Sequence, residues 1–298
     1  GKLGCYRCVT VTEEIVRSSV VKLKIGISPC PNDTFIFHAL LHRLIEAGSF
    51  EFEVVFADVQ TLNERAQSGD FDIVKISYGN LWNVQDTYGL LYSGGAMGYG
   101  CGPLLLSSKS NTLDPDIPIG VPGENTTANA LLRFWAEKEK VAFIAEYAFF
   151  DELYLGLLKR NRMQSVVIHE NRFTFEKDGL YLICDLGEYW EKKTGAPIPL
   201  GGIVIRRNLG QDVARQIDGL IRQSVEFAWR NPEESELFIQ EHAQETEKSV
   251  VASHIKLYVT NFSANLGNKG EVAIRKLQQL IAPESGDVKP LFAYVRTI

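Results

Sequence analysis

Short apolar runs of period two alternate along this chain with stretches of helical period, and the alternation is interrupted once and then restarts. From Val21 onward, Leu23, Ile25 and Ile27 are opposed by Lys22, Lys24 and Gly26, the pattern of a half-buried strand. Phe37, Leu40, Leu41, Leu44 and Ile45 then recur at i, i+3, i+4, i+7 and i+8, which predicts an amphipathic helix. Strands over 52–59 and 73–76, with a helix over 62–67 between them, continue the series. Strand–helix–strand units of this kind form a parallel sheet covered by helices, so the fold class is α/β.

The glycine-rich SGGAMGYGCGP (93–103), the apolar LLLSS and the breaker DPDIP (114–118) stop the pattern. It restarts with a strand over 119–121, helices over 127–138 and 151–160, and strands near 141–149 and over 165–168. An apolar segment over 180–184 and the turn-rich TGAPIPLGG lead to a strand over 203–206 and a helical tail from Gln211 to about Ala282. This organisation predicts two α/β lobes joined by crossings near 110 and 200, with a ligand cleft between them. Residues 22–110 and 203–298 form the larger lobe, on which the tail packs back; residues 111–202 form the smaller one, and residues 1–21 are an N-terminal extension.

The 298 residues carry 31 Lys+Arg against 37 Asp+Glu, a net charge of −6, and the basic residues are scattered. No stripe suits a phosphate backbone, so nucleic acid is not an expected partner. No apolar run approaches the ~20 residues of a membrane-spanning helix. Cys5, Cys8, Cys30, Cys101 and Cys184 are an odd number over a long chain, which fits a reducing compartment. The charged start GKLGCYRCVTVTEEIVRSSV shows no signal-peptide pattern, and the expected location is the cytoplasm.

Small polar residues mark three strand-to-helix junctions: Asn32, Asp33 and Thr34; Ser77; and Asn125, Thr126 and Thr127. Helix capping accounts for any one of them. Unpaired N–H groups at helix starts also favour an anion, and three such junctions facing one cleft favour a small-molecule ligand bearing a carboxylate or phosphate. His169 ends the strand SVVIH at the rim of the smaller lobe, as a proton acceptor or as a structural histidine bonded to backbone. Arg172 could pin a carboxylate or simply form a surface ion pair. His38 and His42 lie four apart but lack the glutamate of a zinc motif and a third ligand, and Cys5-x-x-Cys8 lacks a second pair. His242 and His254 fall in the charged tail and read as solvated. The glycines between 94 and 102 match neither a dinucleotide fingerprint nor a P-loop, so neither metal nor nucleotide cofactor is expected.

The strings ISPCPNDTFIFHALL, ADVQTLNERA, KISYGN, SGGAMGYGCGPLL, VPGENTTA, VIHENRFTF and DLGEYWEKKTGAPIPLGGI closely resemble the 1,4-dihydroxy-6-naphthoate synthase family of the futalosine route to menaquinone. The likeness runs from Lys22 to the end of the helical tail. It implies a two-lobed fold like the type II periplasmic binding proteins, turned to lyase chemistry in the cytoplasm without metal or nucleotide. The implied reaction converts cyclic dehypoxanthinyl futalosine into 1,4-dihydroxy-6-naphthoate and releases a three-carbon fragment. The histidine of the family's HE-x-R motif, its proton acceptor, falls on His169, and its substrate-contacting segments fall on Lys75, Ile76 and Ser77 and on Thr127 and Ala128. Asn32, Thr34 and Arg172 join them as candidate substrate contacts from the residues themselves. Asn171 departs from the small serine expected at its position, and residues 1–21 have no counterpart in the family pattern. Two other readings share the architecture: chorismate dehydratase of the same route, which lacks SPCPNDTF, and a non-catalytic solute-binding protein.

Overall fold

Strand β1 (Val21–Ile27) buries Leu23, Ile25 and Ile27 in the computed structural model, which describes residues 20–244, 247–283 and 289–296. The extension, with Cys5 and Cys8, therefore lies outside the described residues apart from its last two. α1 (Pro31–Leu41) leads to β2 (Phe50–Phe56) and α2 (Val59–Gln67) to β3 (Ile73–Ser77), both strands parallel to β1. Gly26 in β1 is required by close approach, since a Cβ there would meet the Phe71 ring at 2.8 Å. α3 (Leu81–Val84), β4 (Tyr88–Leu90) and β5 (Ala96–Gly98) follow.

The chain then enters a second sheet with β6 (Leu104–Ser107), β7 (Ile119–Val121), α4 (Thr127–Glu139), β8 (Ala145–Tyr147), α5 (Phe150–Leu158), β9 (Gln164–Val167) and β10 (Tyr181–Asp185). α6 (Leu186–Thr194) and β11 (Ile198–Arg206) bring it back. The first sheet has the order β2-β1-β3-β11-β4 with β5 also on β11, and the second has β10-β6-β9-β7-β8. The tail comprises α7 (Gln211–Arg230), α8 (Glu236–His242), α9 (Lys248–Tyr258), α10 (Asn261–Ala264) and α11 (Gly267–Ile281).

Four details differ from the sequence expectation. Both sheets are mixed, because β11 runs antiparallel to β3, β4 and β5, and β6 antiparallel to β9 and β10. The outward crossing lies between Gly98 and Leu104 instead of near 110, since LLLSS is itself a strand of the second sheet. α1 is not amphipathic: residues 31–40 are all buried, because the first sheet covers one side and α7, α8 and α9 the other. It stops at Leu41, and Leu44 is 41% exposed. Finally, α6 forms over a segment that the sequence reading assigned to no element, capped by Asp185, which accepts from Glu188 N, and ended by Gly195 at φ 67°.

The tail helix α7 packs against α1. Ser224 of α7 donates to Ile36 O (2.6 Å) and accepts from Leu40 N (3.1 Å), tying α7 to the middle of α1. Among the described residues no helix is long and apolar enough to cross a membrane.

Candidate active site

Pro31 opens α1 at a position where its missing N–H costs nothing. The first turn then places Asp33 against the loop before it, where its Oδ2 accepts from Ser28 N (3.2 Å) and Ser28 Oγ (2.7 Å). Asn32 Nδ2 donates to Asp33 Oδ1 (3.0 Å). Lys75 from the fully buried β3 brings Nζ to 2.5 Å from the same Oδ1. A buried cation is tolerable only with such a partner, and the pair fixes an ammonium group at the cavity wall.

Ser77 ends β3, its N–H donating to Asn63 Oδ1 (2.9 Å) and its Oγ accepting from Asn63 Nδ2 (3.1 Å). That arrangement leaves the hydroxyl hydrogen directed elsewhere, and Ser77 lines the cavity. Opposite, Thr126 caps α4 by accepting from Asn129 N (3.2 Å). Thr127 Oγ1 donates to Leu200 O (2.9 Å) and accepts from Gly79 N (3.2 Å), so this hydroxyl joins the lobes, while Thr127 and Ala128 bring the start of α4 to the cavity.

His169 follows β9 with φ 61°, a left-handed conformation that a residue with a Cβ adopts only under constraint. Its ring meets the edge of Phe150 (centroids 4.9 Å apart), and Nε2 lies 3.7 Å from Cys30 Sγ. Burial pushes the imidazole pKa down to about 4, opposed by the Asp33 carboxylate and reinforced by Lys75, so the ring is neutral at physiological pH. Burial also raises the Cys30 thiol, with the Glu170 charge adding to it, so Cys30 stays protonated.

These groups surround one cavity of about 90 Å³ between the sheets. Asn32, Lys75 and Ser77 from the first lobe and Thr127, Ala128 and His169 from the second all line it. Three expected residues do not. Ile76 alternates to the opposite face of β3 and is core. Thr34 turns its hydroxyl back to Cys30 O (3.1 Å) within α1. Arg172 is held by Gly102 O and Asp185 Oδ2, each at 2.5 Å, clasping the outward crossing to the end of β10.

Sequence reading missed the place of α9 at the cavity. His254, expected to be solvated, is 0% exposed, and Tyr258 one turn later lines the cavity. The signal was present as the buried stripe Val250, His254, Tyr258 at i, i+4, i+8, masked by the charged residues around it. His242 is half-buried and stacks on Phe56, with centroids 4.1 Å apart. His38 and His42 pack with Phe238 in an aromatic cluster, and among the described residues no three His, Cys, Asp or Glu are grouped to hold a metal ion.

A sequence model described as "Menaquinone biosynthesis" matches residues 23–283. The chain is 41% identical over 264 residues to a 1,4-dihydroxy-6-naphthoate synthase of Streptomyces coelicolor, covering 88% of this chain and 93% of that one. It is 39% identical to the synthase of the same name from Thermus thermophilus, covering 86% and 92%. Among solved structures, a protein of Archaeoglobus fulgidus superposes with a TM-score of 0.82 at 28% identity, covering 88% of this chain and 97% of that one. The alkanesulfonate-binding protein of Xanthomonas axonopodis pv. citri superposes with a TM-score of 0.64 at 16% identity, covering 81% and 85%. The fold is therefore the two-lobed one of periplasmic binding proteins.

Proposed function

Since this chain belongs to the menaquinone biosynthesis family, on the side of its 1,4-dihydroxy-6-naphthoate synthases, it is an enzyme of that route, and we propose that it is a carbon–carbon lyase acting in the cytoplasm. Its substrate is cyclic dehypoxanthinyl futalosine, its product is 1,4-dihydroxy-6-naphthoate, and a three-carbon fragment leaves. Unpaired thiols at Cys30, Cys101 and Cys184 support the reducing compartment.

The observation that carries this reading is the position of His169: a neutral imidazole at the wall of a mostly apolar cavity that a fixed ammonium group also lines. His169 takes the C–H proton whose loss starts aromatisation. Lys75, the Ser77 hydroxyl and the α4 N–H groups hold the substrate carboxylate and the polar sugar remnant, so that the C–H bond is presented to the ring. The imidazolium formed in the step is disfavoured by burial and by Lys75 and favoured by Asp33, so it gives up its proton readily to the three-carbon fragment as the C–C bond breaks.

Incubating the purified protein with cyclic dehypoxanthinyl futalosine should yield the naphthoate by mass spectrometry, and His169→Ala should not. Consumption of chorismate with no reaction of the futalosine would reassign the chain to the dehydratase, and tight binding without turnover would make it a receptor.

A further inference from the structure

His254 is an expensive residue to bury. Taking an imidazole fully out of water costs free energy that a leucine in the same space would not, unless its nitrogens are used. Its Nε2 lies 2.9 Å from Asn32 Oδ1, an acceptor, so Nε2 carries the hydrogen. That bond selects one orientation of the Asn32 amide, with the NH2 turned to Asp33 Oδ1; the flipped amide would set two oxygens against each other. Asp33 Oδ1 is in turn the atom that holds Lys75.

On its other side the His254 ring faces the second lobe, with Nδ1 3.6 Å from Oε2 of Glu170, the residue after His169. The His254 and His169 rings lie nearly parallel with centroids 6.0 Å apart. Tyr258, one turn further along α9, donates its hydroxyl to the backbone oxygen of His169 (3.3 Å), the residue whose left-handed φ needs an external hold. One face of a tail helix thus touches the proton acceptor from the second lobe and, from the first, Asn32, which is bonded to the Asp33 that holds the cation anchor.

We propose that His254 and Tyr258 are positioning residues: Tyr258 fixes the backbone, and so the ring direction, of His169, while His254 fixes Asn32 and, through it, the Asp33–Lys75 pair. The proposal rests on the reading of His169 as the base. Misplacement of a reacting group by about 1 Å is enough to lose on the order of 10²-fold in rate, so positioning at this distance is measurable.

The experiment compares Tyr258→Phe, His254→Gln and His254→Leu in steady-state turnover and in calorimetric binding of 1,4-dihydroxy-6-naphthoate, with thermal unfolding recorded for each. Tyr258→Phe should lower kcat by about tenfold or more with KM within about threefold, because it disturbs the base and leaves the anchor. His254→Leu should raise both KM and the product Kd by about tenfold, and His254→Gln, which keeps an N–H within reach of Asn32, should recover most of that affinity. Wild-type constants in Tyr258→Phe and His254→Leu would overturn the proposal, as would equal losses in the Gln and Leu variants that simply follow Tm. If His254→Leu does not fold, the Phe and Gln variants decide, the Gln variant being then required to keep near-native affinity. His169→Ala runs alongside: turnover there would remove the base reading, while the product Kd of the His254 variants still tests the anchor arm without any chemistry.

Discussion

Lys75 Nζ lies 2.5 Å from Asp33 Oδ1 with side-chain exposures of 6% and 1%, so the cationic anchor of the cavity is also a buried ion pair between β3 and α1. Removing one partner strands the other charge. Lys75→Met should therefore cost ~3–5 kcal/mol of stability, and the double variant Lys75→Met, Asp33→Leu should recover much of it while remaining inactive. Urea unfolding of the two single variants and the double variant checks this; additive losses would mean that the charges are not coupled.

Acid should weaken the fold through His169. Its folded pKa of about 4 lies below the ordinary 6.5, so between those values the unfolded chain takes up a proton that the folded chain refuses. Stability falls as pH drops through that window and is unaffected by this group above it. His254, also held neutral by burial, adds to the slope. Turnover should stay level from neutrality down to about pH 5 and fall towards 4 as the base becomes protonated. Unfolding midpoints measured from pH 4 to 8 should show a shallower dependence in His169→Gln, and an unchanged slope would contradict the assignment.

Arg172 sits in a clasp, and its effect should appear in stability. Arg172→Lys loses the geometry that reaches Gly102 O and Asp185 together, which should lower stability by ~1–3 kcal/mol while product affinity holds. Binding calorimetry beside thermal unfolding separates the two, and a large rise in Kd at native Tm would restore Arg172 as a carboxylate ligand.

Ser77 and Thr127 should part company. The Thr127 hydroxyl is engaged with Leu200 O and Gly79 N, so Thr127→Ala should cost ~1–3 kcal/mol in unfolding, whereas Ser77→Ala should show mainly in KM. Equal effects of both on KM would contradict that division.

At Gly102 an added Cβ would run into the backbone of Gly187 at the start of α6. Gly102→Ala should therefore destabilise by ~1–3 kcal/mol through overpacking, with Gly187→Ala behaving alike because each faces the other. Native melting of either variant would show that the crossing can yield.

What could be read from the sequence was whatever depends on local period. β1, β3, β7 and α4 emerge near their observed limits because their apolar spacing and caps are local. The junction residues Asn32, Ser77 and Thr127, and His169 at a strand end, follow from the rule that α/β ligands meet strand carboxyl ends. What escaped depends on tertiary partners. β11 begins among prolines that read as a turn; Pro199 is accommodated where the pairing with β5 shifts register. α1 looks one-sided until three tail helices cover it. His254 looks solvated until Asn32, far away in the chain, supplies an acceptor.

The place of β11 in the first sheet has a consequence for synthesis on the ribosome. The second sheet is built from one uninterrupted stretch, residues 104–185, and has all its strands as soon as that stretch emerges. The first sheet does not: β3 and β4 are made early, and the strand that lies between them arrives only at residues 198–206. Throughout translation of the second lobe the apolar β3 therefore carries an unpaired edge, the state most prone to pairing with another chain. Yield of soluble protein should thus be governed by the speed of the passage from residue 104 to 206, and slow translation there should favour aggregates seeded by the segment around Ile73–Ser77.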